Sequence, residues 1–234
     1  MKQLSIVVAT SAALFFGSLG VSESALAAPQ YYGKNLCGYP GFTCVKIKRG
    51  DTWERLFPNA KQRELVMRFN RTNIPLNYRS WIVVPDNLSS LNPMELSPFP
   101  LTRDTHGKKL IYVSLNKQAF GAYDANGKLV HWGPISGGRG YCADIGIPCN
   151  TATGNFKIYR KQGGECISSK FPVETKGGAP MPYCMHFNGG FAVHGSTLPG
   201  YNASHGCVRL FPEDAKWLNQ DFANIGTPVI VSKS

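Results

Sequence analysis

The seven cysteines of this 234-residue chain constrain its fold more than any other feature of the sequence. Cys37 and Cys44 are spaced in the same way as Cys142 and Cys149, and Cys166 with Cys184 would complete a third pair. Six cysteines allow many connectivities, and sequence alone does not choose among them. The expected disulfides are therefore a hypothesis, and Cys207 is the cysteine that they leave unpaired.

The first residues have the order of a secretory signal peptide. Lys2 precedes an apolar stretch from Leu4 to Phe16, and small residues then lead to an Ala-x-Ala site that ends at Ala27. The apolar stretch is shorter than the roughly 20 residues that a membrane-spanning helix needs, and no later stretch qualifies. We predict a signal peptide over 1–27, with an uncleaved anchor helix as the alternative. The mature protein is expected in the periplasm or cell envelope, or outside the cell, where cysteines oxidise.

The formal net charge of +11 favours anionic partners. Removal of 1–27 takes away Lys2 and Glu23, one charge of each sign, so the mature chain stays equally basic. The sequence contains no recognisable nucleic-acid module, and an exported protein does not meet nucleic acid in its normal setting. Anionic wall polymers or lipid headgroups are therefore the expected partners.

Two different patterns flank a polar, proline-rich stretch at 88–106, which is predicted to be a linker. Before the linker, an N-terminal segment at 28–44 contains two cysteines that are expected to form a disulfide. The segment 45–87 follows it and begins with alternating apolar and polar residues. It continues with apolar residues at helical spacing, at Leu65, Val66 and Phe69, and ends with the apolar run 81–85. This order predicts a small α+β module of strand, helix or helices, and strand.

After the linker, the segment 107–233 is predicted to be mainly β. Strands are expected at 110–115, up to Tyr123, 128–135, 155–159, 190–194 and 228–232, and Asp124 to Gly127 is a hairpin turn signal. One helix is expected at 212–221, because Pro212 suits its first turn and Glu213 and Asp214 suit the positive end of its dipole.

The densest chemical signal lies around Cys207. A cysteine nucleophile needs a base that activates its thiol and donors that receive an oxyanion. Either His194 or His205 could form a thiolate–imidazolium ion pair with Cys207, which would lower the pKa of its thiol, and spacing alone does not choose between them. Gly206 lets the backbone turn sharply, so that the N–H groups of His205, Gly206 and Cys207 can converge as an oxyanion hole.

These residues carry a resemblance to a known family. His194-Gly195, followed after a spacer by Ser204-His205-Gly206-Cys207-Val208-Arg209, resembles the signature of the YkuD-type L,D-transpeptidase catalytic domain. The segments Thr151 to Phe156 and Met181 to Gly190 are similar to other parts of that domain. The resemblance implies a mainly β, sandwich-like fold over 107–233.

The resemblance also implies roles for individual residues. Cys207 would be the nucleophile, His194 its base, and the Gly195 carbonyl the group that orients the imidazole. The expected substrate-binding residues are Ser204, Arg209, Tyr183, Met185 and Phe187. Arg209 would bind a substrate carboxylate, with a structural ion pair as the alternative. Methionine and aromatic residues at such positions fill the core about as often as they line a groove.

The family's reaction implies peptidoglycan stem peptides as substrates and a thioacyl enzyme as the intermediate. The acceptor would be a neighbouring stem, giving a 3→3 cross-link, or a wall-anchored protein. With water as acceptor, the protein would be an L,D-carboxypeptidase. No cofactor or metal is implied.

The segment 45–87 is similar to a LysM module, which has a βααβ fold and binds peptidoglycan or chitin. The similarity rests on Gly50-Asp51-Thr52 and on the segment from Asn70 to Asn73. It implies glycan contacts from Gly50, Asp51, Thr52 and Asn73. A spacer module without a working ligand groove is the alternative.

Two other classes of function are compatible with parts of the sequence. Cys184, His186, His205 and Cys207 offer metal-ligand atoms, but tightly repeated zinc-site spacings are missing. A catalytically silent peptidoglycan-binding wall protein is the second class. Thiol alkylation would inactivate a cysteine enzyme, a chelator would inactivate a zinc enzyme, and neither would affect a binder.

Overall fold

The computed structural model describes residues 31–234 of the chain. The signal peptide predicted at 1–27 lies outside these residues. Over 31–234, none of the helices has the length and apolarity needed to cross a bilayer.

The N-terminal module consists of β1 (Phe42–Lys46), α1 (Trp53–Leu56), α2 (Ala60–Phe69) and β2 (Trp81–Pro85). The two strands pair antiparallel and the helices pack against them. Each helix begins at a side-chain cap, which satisfies backbone N–H groups that have no partner within the helix. The predicted order of strand, helices and strand is therefore present.

The larger part of the molecule is built from β-strands, which confirms the predicted fold class. These strands are β3 (Leu110–Ser114), β4 (Ala119–Tyr123), β5 (Leu129–Ser136), β6 (Tyr141–Cys142), β7 (Ile147–Pro148), β8 (Gly154–Lys157), β9 (Arg160–Lys161), β10 (Met185–Asn188), β11 (Phe191–Gly195), β12 (Val208–Leu210) and β13 (Pro228–Ser232). Among the described residues, nine of them form one sheet in the order β8-β13-β3-β4-β5-β12-β11-β10-β9. The strands β6 and β7 form a separate hairpin.

The helix predicted at 212–221 is α3 (Pro212–Trp217), and the turn Leu218–Phe222 continues it with π-helical geometry. Its apolar residues Ala215, Leu218 and Phe222 are buried in the main core. This core lies between the sheet and α3, and it also contains inward-facing residues of β10, β11 and β12.

The segment 88–106 connects the two parts and lies along the sheet. Phe99 is buried in a second core cluster with Trp132, and the Trp132 Nε1–H group donates to the Pro93 carbonyl at 2.7 Å. Tyr123 donates its hydroxyl proton to the Pro100 carbonyl at 3.0 Å. The residues that make these contacts are aromatic residues of the sheet. The polar composition of the segment 88–106 therefore does not predict that it packs on the sheet.

The N-terminal module contacts the larger part through a buried ion pair. Arg68 of α2 makes two hydrogen bonds to the Asp214 carboxylate of α3, of 2.8 and 2.7 Å. His131 Nε2 lies 2.8 Å from the same carboxylate. The side chains of Arg68 and Asp214 are only 9% and 2% exposed, so water screens this pair little.

Three disulfides join cysteines within residues 31–234: Cys37–Cys44, Cys142–Cys149 and Cys166–Cys184. They are the pairs put forward from the sequence. Cys207 is the free cysteine of this part of the chain.

Candidate active site

The site is built on the parallel pair formed by β11 and β12. In this pair Val193 lies opposite Val208, and His194 lies opposite Arg209. Successive side chains of a strand point to opposite faces, and both valines are in the core. His194, Cys207 and Arg209 consequently share the other face, which opens into a pocket.

His194 is held in one tautomer by its own neighbour. Its Nδ1 lies 2.9 Å from the Gly195 carbonyl oxygen, which can only accept a hydrogen bond, so Nδ1 carries the proton. The lone pair is then on Nε2. The side chain is buried, and burial lowers the pKa of His194 to about 4, so the imidazole is neutral at pH 7.

Cys207 lies immediately before β12 and is also protonated at rest. Burial raises the pKa of its thiol, although the Ala192 backbone and Arg209 act in the opposite direction. The Sγ atom points toward the Gly190 carbonyl at 3.9 Å, and between residues 31 and 234 no hydrogen bond joins it to His194. The resting site is therefore a neutral thiol with a neutral imidazole, and the sequence-based expectation of a resting thiolate–imidazolium pair is not met.

The second histidine of the motif is engaged elsewhere. His205 Nε2 lies 2.5 Å from an Asp144 oxygen, and its ring stacks on Phe171 with centroids 4.4 Å apart. The hydrogen bond from His205 lowers the pKa of Asp144. Asp144 lies in the hairpin closed by the Cys142–Cys149 disulfide, and no sequence pattern linked it to His205.

Ser204 and Gly206 shape the turn that carries Cys207. The Ser204 hydroxyl donates to the Cys207 carbonyl at 2.6 Å and accepts from the Gly206 N–H at 3.0 Å. Gly206 has a φ of 118°, and a β-carbon there would overlap the ring of Phe191. The Gly206 N–H already has a partner, so it is not one of the free oxyanion donors expected from the sequence.

A pocket of about 620 Å³ surrounds Cys207 and His194. Its charged side chains are Arg160, Lys170 and Arg209, and no aspartate or glutamate of the described chain lines it. Met181, Phe171 and Phe191 supply apolar surface. The arrangement suits an anionic ligand that also has apolar groups.

The expected substrate-binding residues divide into two groups. Arg209 and Ser204 line the pocket, and Arg209 forms no salt bridge with any residue in 31–234. Met185 and Phe187 are buried in the main core, and Tyr183 packs against it. Met185 and Phe187 are therefore corrected to core residues, because their positions in β10 point them away from the pocket.

The loop 196–207, which joins His194 to Cys207, is bound by the N-terminal module. Asn73 Oδ1 accepts from the Leu198 N–H at 2.7 Å, and its Nδ2 donates to the Ser196 carbonyl at 3.4 Å. The Thr72 hydroxyl donates to the Leu198 carbonyl at 2.9 Å. The side chain of Asn73, which was expected to contact glycan, is thus bound to the loop that carries Cys207.

The other residues expected to contact glycan form the turn before α1. Gly50 has a φ of 87°, and the Asp51 carboxylate accepts from the Lys48 N–H at 2.8 Å. The Thr52 hydroxyl caps α1 by accepting from the Arg55 N–H at 3.2 Å. These hydrogen bonds give Asp51 and Thr52 local structural roles.

One group of potential metal ligands occurs within residues 31–234, formed by Cys142, Asp144 and His205. Cys142 is in a disulfide, so it offers no thiolate. Asp144 and His205 are hydrogen-bonded to each other. This group therefore does not have the donor set of a zinc site.

Several solved structures are similar to this chain. An L,D-transpeptidase from Xylanimonas cellulosilytica is 28% identical, with a TM-score of 0.54 over 71% of this chain and 78% of that one. L,D-transpeptidases from Stackebrandtia nassauensis and Mycobacterium tuberculosis are 25% and 24% identical, with TM-scores of 0.45 and 0.43. They align over 58% and 53% of this chain, which spans only 60% and 57% of their own lengths. No curated protein matches the chain.

The family model of the L,D-transpeptidase catalytic domain, YkuD, matches residues 108–231. This match covers more than half of the chain and includes His194 and Cys207. The mainly β fold and the position of His194 and Cys207 on one face of the sheet are consistent with this match. The chain belongs to the YkuD family of L,D-transpeptidase catalytic domains.

Proposed function

We propose that this protein is a peptidoglycan L,D-transpeptidase that forms a thioacyl enzyme on Cys207. The observation that carries the proposal is the geometry of β11 and β12. They place one free thiol and one buried, tautomer-fixed imidazole on the same face of a cationic pocket. The substrate is a tetrapeptide stem, whose third residue carries the carbonyl that is attacked.

The reaction begins with the transfer of the thiol proton from Cys207 to His194 Nε2 as the sulfur attacks the carbonyl carbon. The proton then passes to the amine of the departing D-alanine when its bond to the carbonyl carbon breaks. The burial that lowers the pKa of His194 also makes the imidazolium a strong acid, which favours this second transfer. Gly195 keeps Nε2 available by binding Nδ1–H.

The negative charge that develops on the carbonyl oxygen needs nearby donors. We assign the backbone N–H groups of His205 and Cys207 to this role. Gly206 contributes the backbone conformation, because its own N–H is bound to Ser204. Arg209 binds a carboxylate of the stem.

The acyl group then passes to an acceptor. The side-chain amine of a neighbouring diaminopimelate gives a 3→3 cross-link, and the amine of a wall-anchored protein gives a protein attached to the wall. Water gives an L,D-carboxypeptidase. The open pocket supports entry of a large acceptor.

The test is incubation of the oxidised protein with sacculi, followed by digestion and mass analysis of the muropeptides. We expect 3→3 linked dimers from the wild type and none from Cys207→Ser. Tripeptide products without dimers would instead identify a carboxypeptidase. If both proteins left the stems unchanged but sedimented with sacculi, the protein would be a wall binder without catalysis.

We also propose that the N-terminal module contacts wall glycan through its turn at Gly50 to Thr52, in the manner of a LysM module. Gly50 and Thr52 are exposed, which supports this proposal, whereas Asn73 is committed to the loop 196–207. Asp51→Ala should weaken sedimentation with sacculi without changing acylation by a small substrate. The three disulfides support an exported location at the periplasm or cell envelope.

A further inference from the structure

His186 occupies a place in the pocket that the proposed reaction does not use. It lies in β10 opposite Ala192 of β11, between the core residues Met185 and Phe187. Its side chain therefore points to the same face as the reactive pair, and it lines the pocket while remaining 6% exposed.

The hydrogen bond to Arg160 fixes the tautomer of His186. An Arg160 Nη2 atom lies 2.9 Å from His186 Nε2, and a guanidinium can only donate. Nε2 must therefore be the acceptor and Nδ1 must carry the proton. Burial and the nearby Arg160 lower the pKa of His186, which agrees with a neutral ring. His186 Nδ1 has no partner among residues 31–234, so a buried N–H donor is left unsatisfied.

The sheet arranges these side chains in a row that leads to the nucleophile. Arg160 of β9 lies opposite His186, and His186 lies opposite Ala192. One more step of the β11–β12 register places Ala192 beside Cys207. Since neighbouring strands are about 5 Å apart, His186 is about 10 Å from Cys207 and Arg160 about 14 Å away.

The charge of this end of the pocket is not neutralised by the protein. Arg160 is exposed and forms no salt bridge within the described residues, and no acid lines the pocket. His186 Nε2 accepts one N–H of the Arg160 guanidinium and so holds it at the wall of the pocket, and the remaining N–H groups of that guanidinium suit a carboxylate. An ammonium or neutral apolar group would leave those N–H groups unpaired.

We propose that Arg160, held in place by His186, forms a subsite for the side-chain carboxylate of the third stem residue. This inference rests on the proposed function. In extended diaminopimelate that carboxylate lies about 7 Å from the carbonyl that is attacked. A hydrogen bond of about 3 Å added to that length is similar to the strand spacing between Cys207 and His186, where the Arg160 guanidinium is held. The subsite thus selects stems with a free carboxylate over stems whose third residue is amidated or is lysine.

The test compares two synthetic tetrapeptide stems that differ only in whether the third-residue side-chain carboxylate is free or amidated. Formation of the thioacyl enzyme on the full-length oxidised protein is followed by intact mass over a range of peptide concentrations. We expect the wild type to prefer the free acid by about tenfold or more in kcat/KM, mostly through KM. Arg160→Gln and His186→Phe should each bring the ratio toward one by raising KM for the free-acid stem.

Arg49→Gln is the matched control, because it removes an exposed positive charge on the N-terminal module. It should keep the wild-type ratio. Arg160 is exposed, so its variant tests the inference even if His186→Phe fails to fold. Equal rates for the two stems in the wild type, or an unchanged ratio in Arg160→Gln, would overturn the subsite alone. Absence of a thioacyl enzyme with either stem would overturn the proposed function together with this inference.

Discussion

Burial sets the protonation of Cys207 and His194 before any ligand arrives. The pKa of the thiol is raised and that of the imidazole is lowered to about 4, so each group is neutral near pH 7. A thiolate is the species that reacts with alkylating reagents. The pH profile of alkylation therefore reports directly on this pair.

We expect the rate of Cys207 alkylation to rise about tenfold per pH unit through pH 7 and 8. It should level off only above the ordinary thiol pKa of about 8.5. The urea-unfolded protein with its disulfides intact should level off at a lower pH, because its thiol is no longer buried. Intact mass after timed labelling measures both profiles. A plateau that extends below pH 7 in the folded protein would mean that the resting pair is a thiolate and an imidazolium.

The two histidines are expected to respond differently to replacement. His194→Ala should slow acylation of Cys207 by a carbapenem by about two to four powers of ten, since the proton acceptor is lost. His205→Ala should retain a measurable fraction of the rate, because its ring contacts Asp144 and Phe171 rather than the thiol. Thermal melting of both variants is the control for folding. An inactive His205→Ala protein beside an active His194→Ala protein would reverse the assignment of the base.

At this scale the sequence predicted the residues whose chemistry is local to a motif. Cys207, His194 and the conformation of Gly206 belong to that group. The contacts of Asp144 and His186 depend on which segments become neighbours in the folded chain. Residue periodicity predicts single strands but not how distant strands pair, so the sequence did not predict these contacts. The protonation of the reactive pair was also missed, because burial is a property of the folded environment.

The position of the loop 196–207 determines how Cys207 lies relative to His194. The loop joins β11 to β12, and the side chain of Asn73 binds it through two backbone groups. The module that supplies Asn73 therefore supports the catalytic loop from outside the catalytic domain.

Asn73→Ala should lower the rate of acylation of Cys207 by about tenfold while the protein stays folded, since it frees the Leu198 N–H and the Ser196 carbonyl. Asn59→Ala is the matched control, because it removes the cap of α2 in the same module and costs a similar free energy of unfolding, about 1 kcal/mol. Acylation rates and melting temperatures are measured on both. Equal loss of activity in the two variants would assign Asn73 a role in stability alone.

Elements with a long repeating pattern were predicted well. The hairpin of β4 and β5 and the C-terminal strand β13 lie close to the expected ranges. The strands β9 and β12 were missed, because two or three residues are too few to show alternation. They form only because neighbouring strands in the sheet supply hydrogen-bond partners.

The ion pair between Arg68 and Asp214 couples the two parts of the molecule. Removal of one partner leaves a buried charge without compensation. Arg68→Leu should lower the free energy of unfolding by about 3–5 kcal/mol. Arg63→Leu is the control, because Arg63 is paired with the largely exposed Glu54 at 3.7 Å and donates to the Phe57 carbonyl at 2.9 Å, so its loss should cost only about 1 kcal/mol.

Urea unfolding measures both variants. A loss in Arg68→Leu as small as that in Arg63→Leu would show that water or His131 compensates the charge of Asp214.

The arrangement of the whole molecule was harder to predict than its separate parts. The linker predicted at 88–106 had the right composition for a connection, but the aromatic residues that hold it lie on β4 and β5.

The Cys142–Cys149 disulfide helps to determine the shape of the site around Cys207. It closes the two-residue strands β6 and β7, and the hairpin they form carries Asp144 to His205. The disulfide restricts the positions that the hairpin can adopt, and with them the distance between Asp144 and His205. The shape of the pocket beside Cys207 therefore depends on the oxidation state of two cysteines that take no part in the proposed reaction.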